Sequence, residues 1–443
     1  MRKMTESSTP LAERIVSAAK VGLPVLAILL VGLQYWQSSS RASQARESQT
    51  IATQAWNNHA PAMPLDLLMS GHYTPAAHSP LDSFDPGDGP WLGTTIWLQL
   101  ARLARSQDQL GYDYFPSGRQ LGLSPAYFFQ LAIPIIAAAM CWQRRGDWFS
   151  TNLRLLETIA PALALSFFIV ALLNWRILGL EGALRTLFLI SAYLLYTLAW
   201  GSTLYSISLL LTNRNLFAAL VSCLLLLNLV LARPLTVNTA ALVYPLPTLS
   251  ELSKRIEFET RNGYNGVEPY GDRQRRFVSE ALADNKAATI ADLRVNLSAI
   301  LLKKEERHER EIFLRRIGEL RSQYARQERL EQFLSILLPF SAIQIASSAL
   351  AATDFRTERE QLAAADYRWD LIVTKFYEDV VQSSGPEGNR IPRGPDYWKQ
   401  FKIYQAELPN VWVALESCLL PALGFTLWIL PGVIFRRTAA EAQ

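Results

Sequence analysis

The sequence predicts an all-α polytopic membrane protein: about six transmembrane helices and a mainly helical extracytoplasmic domain formed by two insertions. Three observations lead there. Half of the 443 residues are hydrophobic, and they gather into blocks of about 18 to 25 residues with few charges, the length that crosses a hydrocarbon core of about 30 Å. Several blocks end in Trp or Tyr, which prefer the headgroup level. Between the blocks lie two long polar stretches that contain none of the three cysteines, Cys141, Cys223 and Cys418. Those domains must rest on helical packing rather than disulfides.

The first span is expected over Ile15–Trp36. Its run "VGLPVLAILLVGLQYW" follows a basic leader, as in a signal peptide, but apolar character continues upstream through "IVSAA" and ends in Tyr35-Trp36, so a retained span is expected. The other spans fall near Leu123–Trp142, Thr158–Trp175, Leu184–Leu211, Asn215–Ala232 and Val411–Phe435. Pro24, Pro134, Pro161, Pro421 and Pro431 lie in or beside them and predict local kinks. The chain then divides into 1–36, the first insertion 37–122, spans two to five over 123–232, the second insertion 233–410, and the last span with its tail, 411–443.

Orientation follows from the short links. Arg2, Lys3, Arg14 and Lys20, then Arg144, Arg145 and Arg154, then Arg214 and finally Arg436-Arg437 fall on one side if the spans alternate. The positive-inside rule makes that side cytoplasmic, with both termini there; Arg176 and Arg185 count against it. A bacterial inner membrane is the expected location.

The first insertion opens with extended, proline-rich sequence, turns at "DPGDGP", and enters an expected amphipathic helix around Thr95–Arg105. In the second, "PTLSEL" offers a helix start. A long charged helix is expected from about Ile290 to Leu338, with Phe313, Ile317, Leu320 and Tyr324 as its apolar face, resumed by Leu330, Leu334 and Leu337. "KKEERHERE" reads as an ion-paired, solvated face, with partner docking as the alternative. "FSAIQIASSALAATDF" is too short to span; it suits either an interfacial helix on the outer leaflet or the buried core of the insertion.

The chemistry is sparse. No Gly-Lys dipeptide exists, so no P-loop does either, and ATP hydrolysis must come from another polypeptide. There is no His-Glu-x-x-His and no G-x-S-x-G, so no catalytic residue is assigned. Nearly all spans lack charge, Glu416 near the outer end of the last excepted, which argues against a proton-driven carrier. A net charge of +4 without basic-aromatic runs gives no sign of nucleic acid. His59, Met63, Met69, His72 and His78 form a weak copper candidate, since imidazole and thioether suit that metal; ordinary packing in a proline-rich loop is the alternative that the irregular spacing favours.

Three stretches carry a family resemblance: "HYTPAAHSPLDSFDPGDGPWLGTTIWLQLAR", "LARPLTVNTAALVYPLPTLSEL" and "LLPFSAIQIASSALAATDFRTEREQLAAADYRW". With the span layout they resemble the ABC type-2 permeases, in particular a subgroup of unknown function with large periplasmic inserts, and more distantly the permease serving copper-site maturation of nitrous oxide reductase. The resemblance implies a permease subunit with no cofactor of its own, with ATP and Mg on a partner ABC ATPase present in two copies. It also implies a second permease copy or a related permease, and membrane lipid, as neighbours. It makes the polar island "QRRGDWFSTNLRLLE", residues 143–157, a coupling helix. Arg144, Arg145, Asp147 and Arg154 would form surface ion pairs with the ATPase, while Trp148, Phe149 and Leu153 would fill its groove. The chain keeps "NLRLLE" but shortens the rest of the family's segment and lacks its Gly-Lys. The alternatives are a plain topological anchor for the island and, for the whole chain, a membrane-anchored receptor or assembly scaffold that transports nothing.

Overall fold

The computed structural model describes residues 9–58, 72–87, 95–98, 105–106, 124–143, 147–211, 213–383 and 406–441. Among them six helices are long and apolar enough to cross a membrane, and the all-α polytopic class holds. The first span is the front half of α1 (Thr9–Asn58), which continues well past Trp36. Next come α2 (Pro125–Gln143), α3 (Trp148–Leu173) and α4 (Trp175–Leu210). The third span therefore begins at Trp148 rather than Thr158, and most of the polar island is its first turns. The fifth span is a rod of 30 residues: α5 (Arg214–Leu226), a π-helical turn (Leu227–Leu231) and α6 (Ala232–Val243). Buried Asn228 donates from Nδ2 to Leu224 O (3.1 Å) inside that turn. At 1.5 Å per residue the rod is about 45 Å long and outreaches the hydrocarbon core.

One apolar cluster joins all six spans, Phe217 and Val221 of α5 among them. Leu23, Ala27 and Val31 of α1, Phe129 and Ile133 of α2, Ile159 and Leu163 of α3, and Tyr193, Tyr196 and Trp200 of α4 meet Phe425 of the last helix, α12 (Val411–Glu441). Tyr196 donates to Gln130 O (2.8 Å), and Gln130 donates to the Tyr193 hydroxyl (3.0 Å), so the buried polar atoms pair across helices. The opposite faces carry exposed Leu29, Phe168, Leu172, Leu187, Leu220 and Leu419, as helices against lipid should.

The second insertion is built from α7 (Leu249–Asn262), α8 (Tyr270–Asp284), α9 (Leu297–Ser335), α10 (Pro339–Ala351) and α11 (Phe355–Ser383). Thr248 caps α7 in a capping box with Glu251, as "PTLSEL" suggested. Ile317 and Leu320 of α9 bury against Leu252 and Ile256 of α7, with Phe313 and Tyr324 beside them. Further along α9, Leu330 and Leu334 are half-buried, and Leu337, just past its end, is exposed. Most of the "KKEERHERE" charges are paired, several of them onto neighbouring helices: Lys304 to Glu280 (2.6 Å) and Arg310 to Asp370 (2.8 Å).

Two expectations change. Thr95–Arg105 is not one helix: Thr95–Leu98 forms β2, between β1 (His72–Pro75) and β3 (Arg105–Ser106), all antiparallel, with Tyr73 opposite Trp97. The reason is tertiary, since Ile96 and Leu98, two apart, bury on Trp369, Val373, Phe376 and Tyr377 of α11. Helix α10 lies neither on a leaflet nor in the core of the insertion. Its residues Ala342, Ile343, Ala346, Ala349 and Leu350 belong to the cluster of the spans themselves.

The path into that position is a re-entrant hairpin. The end of α9 runs antiparallel to α6, with Gln327 Nε2 donating to Tyr244 O (2.6 Å) and Arg233 pairing with Glu331 (3.0 Å). The turn at Ile336 then abuts Gly424, which lies 13 residues after Val411, about 20 Å along the last span. Helix α10 climbs back to Ala352, whose left-handed φ of 54° ends it, and Asp354 then caps α11 by accepting from Thr357 N (3.1 Å).

Candidate functional site

Two places concentrate features that packing alone does not demand. The first is the head of α3. Asp147 stands exposed at its N-cap, and Ser150 and Thr151 hydroxyls donate to its carbonyl (2.9 and 3.1 Å). Thr151, Asn152 and Leu155 turn inward. Phe149 is 55 % exposed and Leu153 43 % exposed, four residues apart on one outward face, flanked by exposed Arg154 and Glu157. Trp148 points the other way. Its indole donates to Ser202 Oγ of α4 (3.1 Å), and a Cβ on Gly432 of the last span would stand 2.5 Å from that nitrogen. Of the seven residues assigned to this segment, Phe149, Leu153, Arg154 and Asp147 are thus outward and Trp148 is a wedge into the bundle. Arg144 and Arg145 lie outside the described residues.

The second place is at the opposite end of the bundle, where both insertions are clamped to it. Phe84 of the first insertion is fully buried, stacked on Phe167 (4.3 Å between centroids) and edge-on to Tyr193 (5.5 Å). Next to it, Asp85 accepts from Ser347 of α10, and Gly87, at φ +50°, lies so close to Thr353 that no side chain fits. Ala77 and Gln361 exchange two hydrogen bonds (3.1 and 3.3 Å). Two of the three stretches that carry the family resemblance therefore bind each other.

Arg185 locks this junction. It sits in α4, 1 % exposed, and donates to Ala349 O (3.3 Å), Leu350 O (3.2 Å) and Pro409 O, and to Glu181 (3.3 Å). Carbonyls in the last turn of a helix lack the next turn's N–H donors; Ala349 O is also met by Ala352 N (3.1 Å), and Arg185 supplies a donor to Leu350 O as well. Arg185 is thus a buried strut and not a loop charge. Glu416 is likewise structural, paired with Arg356 at 2.8 Å.

The histidine–methionine group gains no support here. His59, Met63 and Met69 lie outside the described residues, and His72 is the first residue of β1. His78 is partly buried, its pKa lowered by burial and by the charges of Arg41 and Arg46, so a cation there would face two guanidinium groups. Among the described residues no three His, Cys, Asp or Glu side chains gather as metal ligands. All three cysteines are free.

A family model described as "Domain of unknown function (DUF3526)" matches residues 254–405, which are α7 to α11 and the stretch after them. That match covers about a third of the chain and names no activity. No curated protein and no solved structure matches the chain.

Proposed function

We propose that this chain is the permease subunit of an ATP-driven type-2 exporter of the bacterial inner membrane, and that the head of α3 is where a separate ATPase docks. The observation that carries the reading is the outward pair Phe149 and Leu153, ringed by Asp147, Arg154 and Glu157, on a helix end that is itself wedged into the bundle. An apolar pair with a charged rim is the composition of a small docking surface. The wedge gives docking a mechanical consequence. Trp148 touches the last span at Gly432, and eight residues further along the same helix Gly424 touches the re-entrant hairpin. A push on the head of α3 is thereby delivered through one helix to α10 and to the clamp at Arg185. ATP and Mg belong to the partner, and the side carrying the head of α3 is cytoplasmic in this reading.

The test is a mild-detergent pull-down of the tagged full-length protein, with mass spectrometry and an ATPase assay on the eluate. Phe149→Ser with Leu153→Ser is the diagnostic variant, chosen because both side chains are exposed and the fold does not depend on them. A co-purifying ATPase that is lost in this variant, with unchanged melting temperature, is the expected result. An eluate without ATPase activity, or an ATPase retained by the variant, would sink the docking reading and leave the receptor or scaffold.

A further inference from the structure

The cleft between α7 and α9 has no role in the mechanism above. It measures about 460 Å³, within the range of small-molecule sites. Pro245, Leu246 and Pro247 form one wall as the chain leaves the fifth span, and Leu252 and Leu320 line it from α7 and α9. Its rim carries charges, most of them already engaged. Glu251 is held in the capping box with Thr248, and Glu319 is paired with Arg316, which also grips Glu259. Arg255 is different: it is exposed, and no ion pair engages it among the described residues.

The position of the mouth says what can reach it. Along the fifth span the exposed apolar surface runs through Val230, Leu235, Leu242 and Val243, and Pro245 follows two residues later. Leu242 is 83 % exposed, so the lipid-type surface continues to the cleft itself. Apart from exposed Asn238 and Thr239, an acyl chain following this surface meets apolar side chains, whereas a ligand from water meets the charged rim first.

We propose that this cleft binds an anionic glycerophospholipid of the bilayer, with one acyl chain against Leu246, Leu252 and Leu320 and the phosphate at Arg255. Arg255 is the one basic side chain of the lining without an ion pair among the described residues, the floor is apolar, and the exposed apolar end of the fifth span adjoins the cleft. The proposal rests on the membrane-spanning fold and not on ATPase docking, so either can fail without the other.

The experiment uses the full chain in nanodiscs containing a photoactivatable phosphatidylglycerol or, separately, a photoactivatable phosphatidylcholine, followed by peptide mapping. Labelling of peptides holding residues 245–255 and 316–323 by the anionic probe is expected to exceed that by the zwitterionic one. Arg255→Glu should lower it at least about fivefold, the effect of one basic residue near an anionic surface, and Arg255→Lys should keep it. Equal labelling by both probes, labelling spread evenly over the spans, or no change in Arg255→Glu would overturn the proposal. Should Arg255→Glu alter the melting temperature, Arg255→Gln gives the same comparison without a reversed charge.

Discussion

Replacing Gly424 with Ala sets two effects of opposite sign against each other. In an open helix interior the change stabilises by about 1 kcal/mol, because glycine loses more backbone freedom on folding. At Gly424 the new Cβ would stand 2.9 Å from Ile336 Cα and 3.1 Å from its carbonyl oxygen. Carbon–carbon contacts settle at about 3.5–4.0 Å, so the hairpin turn must retreat by about 0.6–1 Å. The obstacle is backbone, which cannot swing aside as a flexible side chain would. Overpacking of this kind costs about 1–3 kcal/mol, so the net change runs from near zero to about 2 kcal/mol of destabilisation. Gly318, in α9, is the matched control, because a Cβ there meets nothing within 4 Å. Thermal unfolding in mild detergent, followed by tryptophan fluorescence, should rank Gly318→Ala above the wild type and Gly424→Ala at or below it. If the two alanine variants prove equally stable, the hairpin does not press on the last span and the re-entrant path is wrong.

Arg185→Gln should be more damaging, by about 2–5 kcal/mol, since the carbonyls of Leu350 and Pro409 lose their buried donor; limited proteolysis near residue 353 should speed up accordingly. Asp82 lies partly buried beside Ser38 and Arg41, and burial raises its pKa from 3.8 to about 6. The native state then holds the extra proton between those values, so the contribution of Asp82 to stability is fully present below pH 4 and is lost as pH rises to 6, by at most about 3 kcal/mol. Asp82→Asn should therefore gain on the wild type between pH 4 and 6 and hold a constant lead above, as read from melting temperatures; a pH-independent difference would refute this. Arg316 and Glu259 form a buried pair, both nearly inaccessible. Glu259→Met alone should cost up to about 3 kcal/mol, since Arg316 keeps only half-exposed Glu319 (2.7 Å) as its carboxylate partner, and Glu259→Met with Arg316→Leu less, because no buried charge is then short of a partner; a double variant as unstable as the single one would contradict that.

Much of the frame was legible because hydropathy over 18 to 25 residues has few interpretations. The spans, the capping box at Thr248–Glu251 and the buried pair Ile317 and Leu320 all follow from local periodicity or local hydrogen bonding. What failed was decided by partners distant in sequence. Ile96 and Leu98 fit a short helix or a strand equally well until Trp369 and Phe376, some 270 residues away, select the strand. Trp148 sits among polar neighbours and looks exposed; the feature that turns it inward is a glycine at 432, which leaves a space that any side chain would close.

The re-entrant helix shows the limit most clearly. "PFSAIQIASSALA" is apolar with small residues on every side, a composition that suits a helix surrounded by protein as well as one lying against lipid. Length excludes a full span, but nothing local says that Ser347 will meet Asp85, or that Arg185 will receive the last carbonyls. One signal was available: an arginine interrupting an apolar block at the start of the fourth span, where a lone charge is costly unless something nearby needs five N–H donors. A helix C-terminus brought into the bundle is such a partner. The same reasoning now applies to Arg233, in the fifth span, whose carboxylate partner Glu331 also arrives on the hairpin. Arginines in the spans thus mark the two ends of the re-entrant path, and each is explained by the segment that descends to meet it.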